Sequence, residues 1–249
     1  MKTIPSLDLL DYFDPNKKIK FVKDLGEAYE NIGFVSIKNY GLSNDEENKL
    51  YEKTKQFFEL PNSTKKKYEK KELNGQRGFI SFGRETAKGF KHHDLKEFWH
   101  FGQTLDDNDP LNKEYEPNIY CEEIPEFNEI GRHVFETLEK AGNTILNAIA
   151  LHLNLEENYF TDKVYKGNSI LRAIHYPPIK EDPGSSVRAA EHGDINLITL
   201  LMGASASGLE VKDRSGDWIA ITAIPRHVVV NIGDMMSRLT NDKLLVFCM

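Results

Sequence analysis

Cysteine is nearly absent: Cys121 and Cys248 are the only two in 249 residues. Such scarcity excludes a disulfide-stapled scaffold and points to a reducing compartment, the cytoplasm. Long apolar runs are missing too. The N-terminus, Met1-Lys2-Thr3-Ile4-Pro5-Ser6-Leu7-Asp8, meets polar and acidic residues before a signal-like stretch can form. No later segment approaches the roughly 20 apolar residues of a membrane span, so neither secretion nor membrane insertion is expected. Positive charge is in deficit, with 32 Lys+Arg against 39 Asp+Glu and a net charge of −7. A pI near 5.7 offers nucleic acid no basic face and favours a small-molecule partner. The cationic run Lys65-Lys66-Lys67 with Lys70 and Lys71 is interrupted by Glu69 and Glu72 and reads as a solvated helix end or loop. Repeats and low-complexity linkers are also missing, which favours one compact unit.

What is present suits a globular chain. Hydrophobic residues make up 39% and aromatics 10%, enough for one large core or a core plus a helical subdomain. Phe21, Leu25, Ala28, Tyr29 and Ile32 recur at helical spacing and stop at Gly33, after which Phe34 to Ile37 reads as a strand. Ser43 and Glu46 form a capping-box pattern ahead of a second helix, whose face runs through Leu50, Thr54, Phe57 and Phe58 until Pro61. The segment Asn74 to Gly89, with Gly75, Gly78, Gly83 and Gly89, reads as a loop; without a strand-to-helix frame it is not a phosphate cradle. Pro125, Phe127, Ile130, Val134, Leu138, Ala141, Ile145, Ala148 and Ile149 describe a long amphipathic helix of the kind that backs a sheet.

From Ser169 onward, short apolar runs alternate with Pro177-Pro178, Asp182-Pro183-Gly184, Gly203, Asp213-Arg214-Ser215-Gly216 and Pro225. Helices first and strands later imply an α+β fold with a jelly-roll core. Within it, His192-Gly193-Asp194 lies between the strand-like runs Ile170 to Tyr176 and Ile195 to Leu201. A His and an Asp two positions apart on extended backbone point the same way, about 6–7 Å apart at Cα, and both can lean onto one ion. Non-haem Fe(II) oxygenases use such a pair with a distal His. In isolation His-x-Asp is more often a loop histidine beside a carboxylate, so the context decides.

That context carries a resemblance. Arg188-Ala189-Ala190-Glu191-His192-Gly193-Asp194-Ile195-Asn196-Leu197-Ile198-Thr199-Leu200-Leu201 resembles the metal strand of the isopenicillin N synthase-like family of iron and 2-oxoglutarate oxygenases. Gly208 to Asp213 with Gly216 to Ile219 is similar to the family's hairpin, and Val228 to Asp234 followed by Leu239-Thr240-Asn241 to the strand before its distal His. Ile4 to Asp8 and Gly33 to Gly41 are similar to its N-terminal domain. The resemblance implies a double-stranded β-helix, with residues 1–120 as the N-terminal helical and strand region and 121–249 as the long helix plus an incomplete core. It implies His192 and Asp194 as metal ligands, Tyr176 as a contact of 2-oxoglutarate, with a core or rim aromatic as the equal alternative for that tyrosine, and Fe(II), 2-oxoglutarate and O2 as cofactor and cosubstrates. It places Trp99 and His100, in Asp94-Leu95-Lys96-Glu97-Phe98-Trp99-His100-Phe101-Gly102, beside the substrate pocket, although a structural role for His100 is an equal alternative.

The departure is at the end. After Asn241 the family pattern continues to the distal His and an Arg-x-Ser that grips 2-oxoglutarate, whereas this chain has Asp242-Lys243-Leu244-Leu245-Val246-Phe247-Cys248-Met249. The expectation is a C-terminally truncated oxygenase, its last core strands missing, its sheets gapped and its activity lost. The alternatives are a non-catalytic remnant and a jelly-roll protein that binds a small molecule. The remaining histidines do not replace the distal ligand on sequence grounds. His92 and His93 neighbour charged residues, His133 and His152 read as solvent-facing or helix-end groups, and His227 opens a strand. Substrate, reaction outcome and oligomeric state are not encoded in any motif.

Overall fold

The apolar spacing from Phe21 to Tyr29 forms helix α1 (Lys18–Asn31), following the short strand β1 (Ser6–Asp8), in the computed structural model. The structure describes residues 4–86, 92–180, 182–184, 186–203, 210–212, 217–220 and 224–248. Gly33 stops α1 because its φ of +73° is left-handed and its N–H caps the Ala28 carbonyl at 3.0 Å. Strand β2 (Phe34–Lys38) follows at once. In α2 (Asn44–Glu59) the capping box is complete: the Glu46 N–H donates to Ser43 Oγ and the Ser43 N–H to Glu46 Oε2. Pro61 then opens the single turn α3 (Asn62–Lys65).

The chain divides into two compact units, one of residues 1–42, 137–165 and 191–249, the other of 43–136 and 166–190. One compact unit was the sequence-based expectation. Periodicity marks which face of an element is apolar, but not which of two cores that face joins.

In the second unit a three-stranded antiparallel sheet runs β3 (Gly78–Ile80), β4 (Glu97–Gly102), β5 (Ile170–His175). One face, carrying Phe79, Trp99, Phe101, Leu171 and Ala173, joins Phe57, Phe58 and Phe127 in an aromatic core. The ring of Phe57 stacks on Phe127 at 5.2 Å and meets Trp99 edge-on at 4.8 Å. Two expectations are corrected here. The segment Asn74 to Gly89 contains strand β3, entered through Gly78 at a φ of +73°. Lys65 is not solvated: it is buried and ion-paired to Glu97 at 2.8 Å, while Lys66, Lys67 and Lys71 are exposed as read.

In the first unit the sheet order is β1-β2-β9-β6, with β6 (Ile198–Met202) and β9 (His227–Ile232) antiparallel and β1 parallel to β2. Strands thus occur in both halves of the chain, so helices first and strands later holds only in part. Val35, Ile37, Val228, Val230 and Ile232 face a core shared with α1 and the 137–152 part of the long helix α4 (Pro125–His152), so this helix does back a sheet. The short turn α5 (Thr161–Val164) follows it. The alternate positions Phe34 and Val229 pack with Val211 from the hairpin β7 (Glu210–Lys212) and β8 (Trp218–Ala220). The connection between those two strands lies outside the described residues.

After helix α6 (Asp234–Leu239) the chain packs back onto this unit. Leu244 is fully buried in the main core, the Leu245 N–H donates to the Tyr29 carbonyl at 3.1 Å, and the Cys248 carbonyl accepts from the Lys212 N–H at 3.0 Å. Phe247 joins the Phe34–Val229 cluster. A Cβ at position 33 would lie 2.5 Å from the Leu245 carbonyl oxygen, so Gly33 serves both the helix stop and this close approach.

Candidate active site

His192 and Asp194 lie in the loop ahead of β6, which begins at Ile198 rather than at Ile195. Ile195 is exposed, so the extended run that sequence placed directly after Asp194 starts later. The pair nevertheless converges, with His192 Nε2 4.0 Å from Asp194 Oδ1. The other carboxylate oxygen is occupied. Asp194 Oδ2 accepts from Thr199 Oγ1 and, at 2.9 Å, from Asn231 Nδ2. Thr199 in turn accepts from Asn196 Nδ2 at 2.8 Å, which commits its one proton to Asp194. Thr199 and Asn231 are cross-strand partners in the β6–β9 register, so one face of the sheet supplies both donors.

Backbone contacts brace the loop. The Asp234 N–H donates to the Asp194 carbonyl at 2.7 Å and the Gly233 N–H to the Leu197 carbonyl at 3.0 Å. A side chain at Gly233 would stand 2.2 Å from the Asn196 carbonyl oxygen, so glycine is what lets α6 approach. Asp194 Oδ1 and His192 Nε2 are 4.0 Å apart, and a carboxylate with an imidazole is a donor pair whose chemistry fits a divalent first-row metal ion. Among the described residues, no group of three or more His, Cys, Asp or Glu side chains is arranged to hold such an ion. Cys248 adds no thiolate, since burial first and the Glu191 carboxylate next raise its thiol above the usual range.

The other named residues belong to the β3–β4–β5 unit. Tyr176, just beyond β5, is about two-fifths exposed; burial raises its phenol, and the Arg188 guanidinium lies 5.9 Å from its ring. His175 takes the opposite side of the strand, stacked on Phe58 and hydrogen-bonded through Nδ1 to Glu97 at 2.9 Å. Trp99 is wholly buried in the aromatic core. His100 is buried with both ring nitrogens engaged: Nδ1 on the Gly75 carbonyl at 2.8 Å, Nε2 on Arg172 Nε at 2.8 Å. Burial, then the Arg172 charge, push its pKa down to about 3. No ring nitrogen of His100 is left for a metal.

His133 is exposed and paired with Glu46 at 2.7 Å, as a helix-surface histidine should be. His152 differs. It is half-buried, bonded to Glu30 at 2.8 Å, and so close to Gly26 that a Cβ there would touch its ring. His227 Nδ1 faces the Pro225 carbonyl at 3.0 Å. Thr199 and Asn231 were missed by sequence reasoning. Their signal was a polar residue inside each of two otherwise apolar strands, Ile198 to Met202 and Val228 to Ile232.

Comparison with known proteins gives consistent matches. The family described as non-haem dioxygenase in morphine synthesis N-terminal matches residues 4–123, and the 2OG-Fe(II) oxygenase superfamily matches residues 167–246. The 2-oxoglutarate-Fe(II) type oxidoreductase ppzD of Metarhizium rileyi is 30% identical over 93% of this chain and 69% of its own length. The proline hydroxylase buaE of Petromyces alliaceus is 31% identical over 97% of this chain and 78% of its own. Among solved structures, a protein assigned to the 2OG-Fe(II) oxygenase family from Caulobacter crescentus superposes with a TM-score of 0.88 at 40% identity, covering 100% of this chain and 79% of that one. A full-length Neurospora crassa protein in complex with alpha-KG and thymine superposes with a TM-score of 0.85 at 28% identity, covering 98% and 78%.

Proposed function

Because the chain belongs to the isopenicillin N synthase-like family of 2OG-Fe(II) oxygenases, we propose that His192 and Asp194 are its ligands to ferrous iron and that Tyr176 contacts 2-oxoglutarate. The observation that carries this reading is the clamp on Asp194: Thr199 and Asn231 hold Oδ2, and Oδ1 alone is turned to His192. When bound, iron and 2-oxoglutarate supply the oxidising chemistry, consuming O2 and releasing succinate and CO2 as a small-molecule substrate is oxidised. The chain's own residues do the rest. Thr199 and Asn231 occupy Asp194 Oδ2, so Oδ1 would be the oxygen that holds the metal; the loop is fixed by the Asp234 and Gly233 N–H groups, and residues 1–120 and 121–249 supply the N-terminal region and the jelly-roll part. Among the described residues no helix is long and apolar enough to cross a membrane, and we place the activity in the cytoplasm.

Taken alone, residues 1–249 provide two ligands of the family pattern, His192 and Asp194, and since loss of even an outer-shell partner costs roughly 10–100-fold in metal affinity or activity, this stretch by itself is proposed to hold the metal weakly. Grafting the C-terminal strands of a close relative onto Leu244 should restore succinate release from 2-oxoglutarate, and His192→Ala in that repaired chain should abolish it. Turnover surviving His192→Ala would refute the assignment. A second reading, a non-catalytic protein that binds a small molecule, is favoured by the seating of Leu244 and Phe247 in packed clusters. It requires the unrepaired chain to bind ligand without the visible absorption that 2-oxoglutarate produces on chelating Fe(II).

A further inference from the structure

The two candidate ligands are held unequally. Asp194 has its Oδ2 clamped by Thr199 and Asn231 and its carbonyl bonded by the Asp234 N–H. Gly193 separates this clamp from His192, and the backbone freedom of a glycine passes little of that order along the chain. An imidazole that shares an ion with Asp194 therefore needs a hold of its own, on the N-terminal side of Gly193.

Glu191 supplies one. Alternate side chains of an extended run leave on opposite sides, and the contacts of this loop follow that rule. His192 Nε2 and Asp194 Oδ1 converge to 4.0 Å, whereas a Cβ at Gly193 would meet Val246 Cγ2 at 3.9 Å and Asp234 Oδ1 at 4.0 Å. Glu191 belongs to this second side. Its two carboxylate oxygens lie 3.0 and 3.3 Å from Lys212 Nζ, and the Cys248 thiol hydrogen-bonds to it.

Lys212 is a fixed post. Its neighbour Val211 is buried with Phe34 and Val229, and its own N–H is bonded to the Cys248 carbonyl at 3.0 Å. Its ammonium lies 5.4 Å from the ring centre of Trp218, its cross-strand partner. The hairpin is thus seated on the sheet that carries Asn231, and it reaches by one ammonium to the residue before His192. The paired side chains are 37% and 35% exposed, so the pair adds little to global stability and its consequence is local. We propose that the Glu191–Lys212 ion pair sets the His192 imidazole against Asp194, with Lys212 as a positioning residue for the metal site. This rests on the reading of His192 and Asp194 as ligands given above.

The test follows Co(II) binding by visible absorption, and the imidazole ¹⁵N signals of His192 in the metal-free 249-residue chain. Lys212→Met should shift the His192 signals and weaken Co(II) about three- to tenfold, less than the roughly 10–100-fold expected of a partner bonded to the ligand itself. The melting temperature should barely change. Lys212→Glu should weaken Co(II) further, and the swap of Glu191→Lys with Lys212→Glu should recover both the affinity and the signals. If Lys212→Met does not fold, Glu191→Gln, which leaves the hairpin whole, takes its place. His192→Ala separates the brace from the ligand assignment. Where it abolishes Co(II) binding, an unchanged affinity in Lys212→Met, or a swap that recovers nothing, overturns the brace and leaves the ligand reading standing. Where it leaves Co(II) binding intact, the ligand reading fails and the His192 signals decide: disturbed in Lys212→Met they support the brace, unchanged they overturn it.

Discussion

Replacing Lys65 by Met should remove a large fraction of the protein's stability through one broken contact. Lys65 Nζ lies 2.9 and 2.8 Å from the two oxygens of Glu97 and 3.1 Å from the Phe58 carbonyl, with both side chains under a tenth exposed. Methionine keeps the stem packed beside Phe79 but removes the charge, and Glu97 is left buried with His175 as its remaining partner. Breaking a buried pair in this way costs about 3–5 kcal/mol, mostly the penalty of the stranded ion. Against a typical total of about 5–15 kcal/mol this is about a fifth or more, and at about 1.4 kcal/mol per tenfold it multiplies the unfolded fraction by on the order of 10²–10³. Glu97→Gln should cost a comparable amount by stranding Lys65. The double variant carries no buried ion and should therefore cost clearly less than the sum, with a coupling of roughly 2 kcal/mol or more. Urea unfolding of the four proteins at pH 7 measures all three values. Additive losses, or a Lys65→Met loss below about 1 kcal/mol, would show that the pair is not the uncompensated buried ion pair argued here.

Three further perturbations test other parts of the argument. His100 is held neutral with a pKa of about 3, below its unfolded value near 6.5, so only the unfolded chain takes up this proton between those limits. Its contribution is therefore undiminished above pH 6.5 and lost as pH falls toward 3, at up to about 1.4 kcal/mol per pH unit; urea titrations from pH 7 to 5 should show that slope in the wild type and a shallower one in His100→Gln. Gly33→Ala places a Cβ 2.5 Å from the Leu245 carbonyl oxygen at a φ of +73°, and should cost about 2 kcal/mol or more, seen as a lowered melting temperature. In the repaired chain, Thr199→Val should weaken Co(II) binding roughly 10–100-fold with little change in melting, and Thr199→Ser should restore it; equal affinities in all three would remove Thr199 from the site.

The parts of the fold that sequence anticipated are those specified over a few neighbouring residues. Ser43 and Glu46 lie within one turn, Gly33 ends α1 by its own backbone freedom, and the long helix α4 is written in a period that needs no partner. The hidden parts depend on partners far along the chain. Lys65 reads as one more surface lysine until Glu97, 32 residues later, is placed against it. Strand β3 has three residues and no alternation long enough to notice, and it exists because β4 is there to pair with it.

The candidate site divides along the same line. His192 and Asp194 could be named because two residues of the right chemistry stand two positions apart inside a string, Arg188 to Leu201, that resembles the family's metal strand. The groups that decide what Asp194 can do, Thr199 and Asn231, are 32 residues apart and meet only through the β6–β9 register. His100 shows the limit most sharply. As a histidine in a motif it had two open roles, and neither could be weighed without Arg172 on the neighbouring strand and the Gly75 carbonyl behind it. Once those partners are in place the imidazole has a fixed tautomer and no nitrogen for a metal.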